Sequence, residues 1–155
     1  MQDMIQLKDI HKSFGAQKVL DGLDLNIEDG QTTVIIGRSG GGKSVLLKHI
    51  IGLIRPDSGQ VVVDGEDITK LNDKQLNEVR KKFGMLFQEG ALFDSMTVGE
   101  NVSFPLVEHT KMTDEEIRQV VAERLKAVGL TGVEGKMPSE LSGGMRKRVV
   151  LARAI

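Results

Sequence analysis

Residues 37–44 read Gly37-Arg38-Ser39-Gly40-Gly41-Gly42-Lys43-Ser44, a complete G-x-x-x-x-G-K-[ST] pattern. The apolar run Thr33-Val34-Ile35-Ile36 precedes it, and the helix-like Val45-Leu46-Leu47-Lys48-His49-Ile50-Ile51 follows it. Strand, glycine loop and helix in that order are the context in which such a loop cradles phosphates. Glycines lack a Cβ, so consecutive backbone N–H groups can turn inward toward phosphate oxygens, and the helix start adds a partial positive charge. Lys43 would reach the β- and γ-phosphates as a point charge, and the Ser44 hydroxyl would be a magnesium ligand. The bland alternative is a chance glycine-rich turn, against which the flanking strand and helix both argue.

The chain has 155 residues, enough to bury a core, and a net charge of −1, which gives no electrostatic case for nucleic acid. With no cysteine, disulfides and cysteine-based zinc sites are excluded. No apolar run approaches the roughly 20 residues that span a bilayer, and the N-terminus Met1-Gln2-Asp3-Met4 is unlike a signal peptide. The reading is therefore a chain without direct membrane insertion, with any membrane role exercised through partners.

Alternation at Ile5 and Leu7, and at Val19, Leu23, Leu25 and Ile27, predicts half-buried strands early in the chain. Gln31–Ile36 and Phe83–Phe87 read as buried strands, and Gln60–Val63 as a strand closing at the hairpin dipeptide Asp64-Gly65. Lys74–Lys82 reads as a polar surface helix. Thr97-Val98-Gly99-Glu100 and Thr113-Asp114-Glu115-Glu116 have the capping-box form. The second opens a helix with Ile117, Val120, Val121, Leu125 and Val128 on one face and Gly129 as its stop. The resulting fold class is α/β with an appended antiparallel β subdomain.

A second glycine turn, Leu141-Ser142-Gly143-Gly144-Met145, opens a helix over Met145–Ile155. A hydroxyl, free N–H groups and a helix dipole suit an anion, although Ser142 could also be a plain helix cap. With this turn, the chain resembles the ATP-binding-cassette (ABC) ATPases, whose signature is LSGGQ. The resemblance covers essentially the whole chain. It implies a P-loop NTPase fold with an N-terminal antiparallel β subdomain and a helical subdomain, truncated after the signature helix. The expected division is residues 1–65 for the β subdomain plus phosphate-loop core, 66–90 for a core strand and the Q-loop, and 91–155 for the helical subdomain and signature helix.

The resemblance implies ATP and Mg2+ as cofactors. It assigns Phe14 to adenine stacking and Gly37, Arg38, Ser39, Gly40, Gly41, Gly42, Lys43, Ser44 and Val45 to the phosphates. Gln88 becomes a catalytic glutamine that meets magnesium and the attacking water, making Ser44 and Gln88 the metal contacts. Ser142, Gly143 and Gly144 would touch the ATP of a second ATPase subunit in a head-to-tail dimer. The residues alone leave other readings open: Phe14 as a core aromatic, Gln88 as an ordinary loop residue, and Arg146-Lys147-Arg148 as a solvated helix face. His11, His49 and His109 lack metal-type spacing and receive no ligand role.

Met145 stands in place of the signature glutamine, and Val45 in place of a frequent threonine. Together with Phe87–Thr97, Pro105-Leu106 and Met137–Met145 they resemble the lipid-trafficking branch of the maintenance-of-lipid-asymmetry, or toluene-tolerance, type. That branch implies phospholipid transport across the envelope, with a transmembrane permease subunit and a mammalian-cell-entry-domain protein as partners. The ATPase would then sit on the inner face of the cytoplasmic membrane. The other function classes are a non-catalytic nucleotide-binding or interaction module, an importer or exporter ATPase for another substrate, and a soluble ABC ATPase acting on DNA or ribosomes.

The family's acidic strand and catalytic glutamate would follow the signature helix, yet only ten residues follow Met145. The expectations are weak or no nucleotide binding, negligible hydrolysis, and an open hydrophobic edge beside Gln31–Ile36 that promotes aggregation, strand swapping with a second copy or pairing with another chain.

Overall fold

The computed structural model describes residues 3–86 and 91–155. They form two compact units, residues 1–82 and 83–155. The first is built on an antiparallel sheet of strands β1 (Asp3–Phe14), β2 (Gln17–Glu28), β3 (Ser58–Val63) and β4 (Glu66–Asp67), in the order β2-β1-β3-β4. The expected alternation is present: Ile5 pairs with Ile27 and Leu7 with Leu25 across the β1–β2 ladder. Ile5, Leu7 and Ile10 are buried while Leu23, Leu25 and Ile27 are half-buried. A strand with one covered face produces this pattern, because successive side chains point to opposite faces.

The β3–β4 hairpin turns through Asp64-Gly65, with Val63 opposite Glu66. Both loop residues have positive φ, 49° and 83°, as a two-residue loop of matching twist requires. Helix α1 (Lys43–Ile50) lies against β3 and buries Leu46 and Ile50. Helix α2 (Asp73–Arg80) starts at an Asn72–Gln75 capping box and buries Leu76 and Val79 under an otherwise polar surface. Arg80 donates to the carbonyls of Ile51 and Gly52, which fastens α2 to the end of α1.

Two expected strands are corrected. Residues 31–36 and 83–86 form no strand, and Val34 and Ile36 are 72% and 91% exposed rather than buried. Apolar content makes a segment suited to a strand, but a ladder partner makes it one, and β2 and β4 close the described sheet without offering these segments a neighbour.

The second unit contains helices α3 (Val98–His109), α4 (Asp114–Ala127) and α5 (Gly143–Ala154). Both capping boxes form as expected: Thr97 and Thr113 accept the Glu100 and Glu116 amides, and each glutamate accepts the N-cap amide in return. These bonds hold the two carboxyls below their ordinary pKa, first through the threonine amide and then through its hydroxyl. The core joins Val98, Val102 and Leu106 of α3 to Ile117, Val121 and Leu125 of α4 and Val149 and Ala152 of α5. Val120 and Val128 are partly buried against it, and Gly129 ends α4 with φ 71°.

Candidate functional site

The glycine loop holds its shape through its own backbone. Gly41 N–H donates to the Arg38 carbonyl at 3.1 Å, and Gly40 and Gly42 take φ of 77° and 82°. A Cβ on Gly42 would lie 3.0 Å from the Val19 carbonyl oxygen and 3.2 Å from Leu20 Cδ2, so β2 comes up against the loop where it enters α1. Only a glycine meets both the left-handed backbone and that approach without strain.

The start of α1 differs from every other described α-helix. Helices α2, α3, α4 and α5 each receive a side-chain cap, from Asn72, Thr97, Thr113 and Ser142. The N-cap of α1 is Gly42, which offers none, and the helical ladder begins with Leu46 N–H donating to the Gly42 carbonyl. The amides of Lys43, Ser44 and Val45 therefore receive no side-chain cap among the described residues at the positive end of the helix, with no acidic residue in the first turn to offset that charge. Lys43 Nζ donates to the carbonyls of Gly37 at 2.8 Å and Arg38 at 2.7 Å, which places the ammonium over the loop. Two of its three donors are engaged there. Arg38, Ser39 and Ser44 are exposed, and Val45 is half-buried.

Phe14 ends β1 with its ring 51% exposed, which sets aside the core-aromatic reading. Lys12 Nζ lies 5.6 Å from the ring centroid and ion-pairs with Asp57 at 2.6 Å, so the ring is backed by a fixed cation. The ion pair that holds Lys12 there was not legible in the sequence, because Lys12 and Asp57 are 45 positions apart. Lys12, followed by the Ser13 amide, holds the Asp57 carboxyl below its ordinary pKa.

Gln88 lies outside the described residues. Ser142 caps α5, its Oγ accepting from Met145 N–H at 3.3 Å, and Gly143 and Gly144 are exposed with open space where a Cβ would stand. A loop with uncapped amides and a cation is thus found in one unit, and an exposed serine–glycine helix start in the other. Among the described residues no group of His, Asp and Glu is arranged to hold a metal. No described helix is long and apolar enough to cross a membrane.

The family model for ABC transporters matches residues 20–155. The chain belongs to the ABC transporter family. It is 51% identical over 151 residues to the probable ribonucleotide transport ATP-binding protein Mkl of Mycobacterium leprae, covering 97% of this chain and 44% of that protein. It is 47% identical over 154 residues to the intermembrane phospholipid transport system ATP-binding protein MlaF of Haemophilus influenzae, covering 99% of this chain and 58% of that protein. Among solved structures it is similar to the ATP-binding cassette MJ0796 in a dimeric post-hydrolysis state bound to ADP and Pi. That likeness has a TM-score of 0.90 and 36% identity, and covers 98% of this chain and 69% of the cassette. The chain spans about half the length of the curated relatives it matches.

Sequence reasoning passed over several residues that hold the site. Val19 and Leu20 bound the glycine loop, and His49, at 1% exposure, lies under α1. Asn101 and Arg153 organise the second unit. Long-range contacts carry no local pattern, and only the buried asparagine inside an apolar helix face could have given a hint.

Proposed function

We propose that this chain is the ATP-binding part of an ABC transporter ATPase that drives phospholipid movement across the cell envelope. The uncapped start of α1 supports nucleotide binding most directly: it leaves the amides at 43–45 without a side-chain cap beside the Lys43 ammonium held at the loop, while every other described α-helix satisfies its start with a side chain. In this reading Gly37–Val45 hold the phosphates, Ser44 and Gln88 meet Mg2+, Gln88 acts in catalysis, and Phe14 stacks on adenine. Ser142, Gly143 and Gly144 reach the nucleotide of a second subunit. Magnesium, when bound, neutralises phosphate charge. Residues 1–65, 66–90 and 91–155 then divide the chain into loop-bearing core, Q-loop connection and helical subdomain.

The partners in this reading are a second copy of the ATPase and a transmembrane permease, which keeps the protein on the cytoplasmic face of the membrane. The tilted Phe93–Phe104 pair supports such docking: the rings stand 5.1 Å apart, 44% and 36% exposed, on the surface of the helical unit. The lipid substrate is supported by the MlaF likeness. A ribonucleotide substrate is the second reading, favoured by the printed name of the mycobacterial relative.

The first test is titration of a fluorescent ATP analogue with Mg2+ against the chain and its Lys43→Met variant. Binding that is lost in the variant is expected, and equal binding by both overturns the site. The second is reconstitution of the complete ATPase and its permease in vesicles. Phospholipid movement driven by ATP is expected, and movement of ribonucleotides without phospholipid overturns the lipid assignment.

A further inference from the structure

Strand β1 pairs with β3 as far as His11, which stands opposite Ser58. Among the described residues no β3 partner pairs with Lys12, Ser13 or Phe14, and the Asp57 side chain takes the place of the ladder there. One carboxylate oxygen accepts from Lys12 Nζ at 2.6 Å, and the other from the Ser13 amide at 2.7 Å. The Asp57 amide itself donates to the His11 carbonyl at 2.8 Å. One residue thus holds the three consecutive positions that lead into Phe14. Both bonds to the carboxylate are charge-assisted and short, and the Lys12 side chain is only 17% exposed, which confines it more than an ordinary surface ion pair would. On the β2 side Phe14 has Gln17 opposite it, the last pair before the turn, so without Asp57 this end of β1 rests on a hairpin tip alone.

Asp57 is also tied to the helix that leaves the glycine loop. It lies in the stretch between α1 and β3, where the Leu53 and Ile54 amides donate to the Lys48 carbonyl of α1. Arg55 fixes the same stretch by donating to the carbonyls of Thr69 and Leu71. A ring and a phosphate loop can hold two ends of one nucleotide without a large ordering cost only when their separation is set beforehand.

We propose that Asp57 is a positioning residue for the nucleotide base: through Lys12 and Ser13 it fixes the half-exposed Phe14 ring, with the ammonium over it, as the platform on which the base stacks. The proposal rests on the reading of Phe14 as the base contact.

Calorimetric titration of the chain with ATP, and separately with inorganic tripolyphosphate, separates base from phosphate. Asp57→Asn is expected to weaken ATP binding about fivefold, part of what a stacked base contributes, and to change tripolyphosphate binding less than about twofold. In a Phe14→Ala background the same substitution should have no further effect on ATP, because the group it acts through is gone. Lys12→Met gives an independent reading in the same direction. Equal weakening of both ligands, or an undiminished Asp57→Asn effect without the Phe14 ring, overturns the proposal. NMR without nucleotide keeps this failure distinct from failure of the nucleotide reading. There Asp57→Asn should speed Ser13 amide exchange about tenfold and move the Phe14 ring resonances toward unfolded values, with Leu7 and Val61 amides changed less than about twofold. An unmoved ring overturns the proposal even where ATP binds. A moved ring in a chain that binds neither ligand upholds the positioning and counts against the proposed function alone.

Discussion

His49 Nδ1 donates to the carbonyl of Val45 at 2.7 Å, one turn back along α1. A carbonyl can only accept, so the proton of this bond sits on Nδ1, while Nε2 is buried without a hydrogen-bond partner among the described residues. The helix that carries Lys43 and Ser44 is therefore built over a buried imidazole.

Burial lowers the His49 pKa below 6.5, the Val45 bond opposing it. The unfolded chain then binds more protons than the folded one as pH falls. The His49 contribution is fully present above the unfolded value of 6.5 and is lost as pH falls from there toward the depressed folded pKa. Urea midpoints measured across this range should drop on the acid side, and His49→Leu should flatten that limb. An unchanged acid limb in the variant would contradict this origin.

His11 has the opposite sign. Its two ring nitrogens meet Asp9 at 2.9 Å and Asp21 at 3.1 Å, an arrangement in which both donate only as the imidazolium. The Asp9 bond, ahead of that to Asp21 and against desolvation, raises its pKa above 6.5. This stabilisation is present below 6.5 and is lost as pH rises through the raised folded value. NMR titration of the ring protons should place His11 above and His49 below 6.5 in one protein.

Asn101 is fully buried and joins α3 to the backbone of Phe93, Met96 and Thr97. Asn101→Ala leaves several buried backbone groups without partners and should cost about 2–4 kcal/mol in chemical denaturation. Thr113→Ala removes one capping hydroxyl and should cost about 1 kcal/mol. Similar losses from the two substitutions would show that the asparagine network is not structural.

Gly42→Ala sets a Cβ 3.0 Å from the Val19 carbonyl oxygen in a left-handed backbone. The expected cost is about 1–3 kcal/mol in stability, together with weaker nucleotide binding by titration, because the amide directions change.

Val34 and Ile36 present apolar side chains to solvent on a segment without a strand partner. Light scattering behind size-exclusion chromatography should show self-association of the 155-residue chain. Paired Val34→Lys and Ile36→Lys substitutions should reduce it. A monodisperse monomer of the unaltered chain would contradict the expectation.

The sequence by itself determined what is local. Gly37–Ser44 specified a glycine loop into a helix, Thr97–Glu100 and Thr113–Glu116 specified two helix starts, and Asp64-Gly65 specified a hairpin, because each depends on residues within a few positions of one another. It also carried the family, through the phosphate loop and Ser142-Gly143-Gly144. Tertiary structure decided what depends on distant partners. Gln31–Ile36 has strand composition, but a strand is a relation between two segments, and no described strand lies beside it. The Lys12–Asp57 ion pair beside Phe14, the burial of His49 and the Arg153 bond to Ala91 arise from contacts between distant segments that no sequence spacing encodes. Burial and long-range hydrogen bonding set those protonation states and positions, and both exist only once the chain has folded.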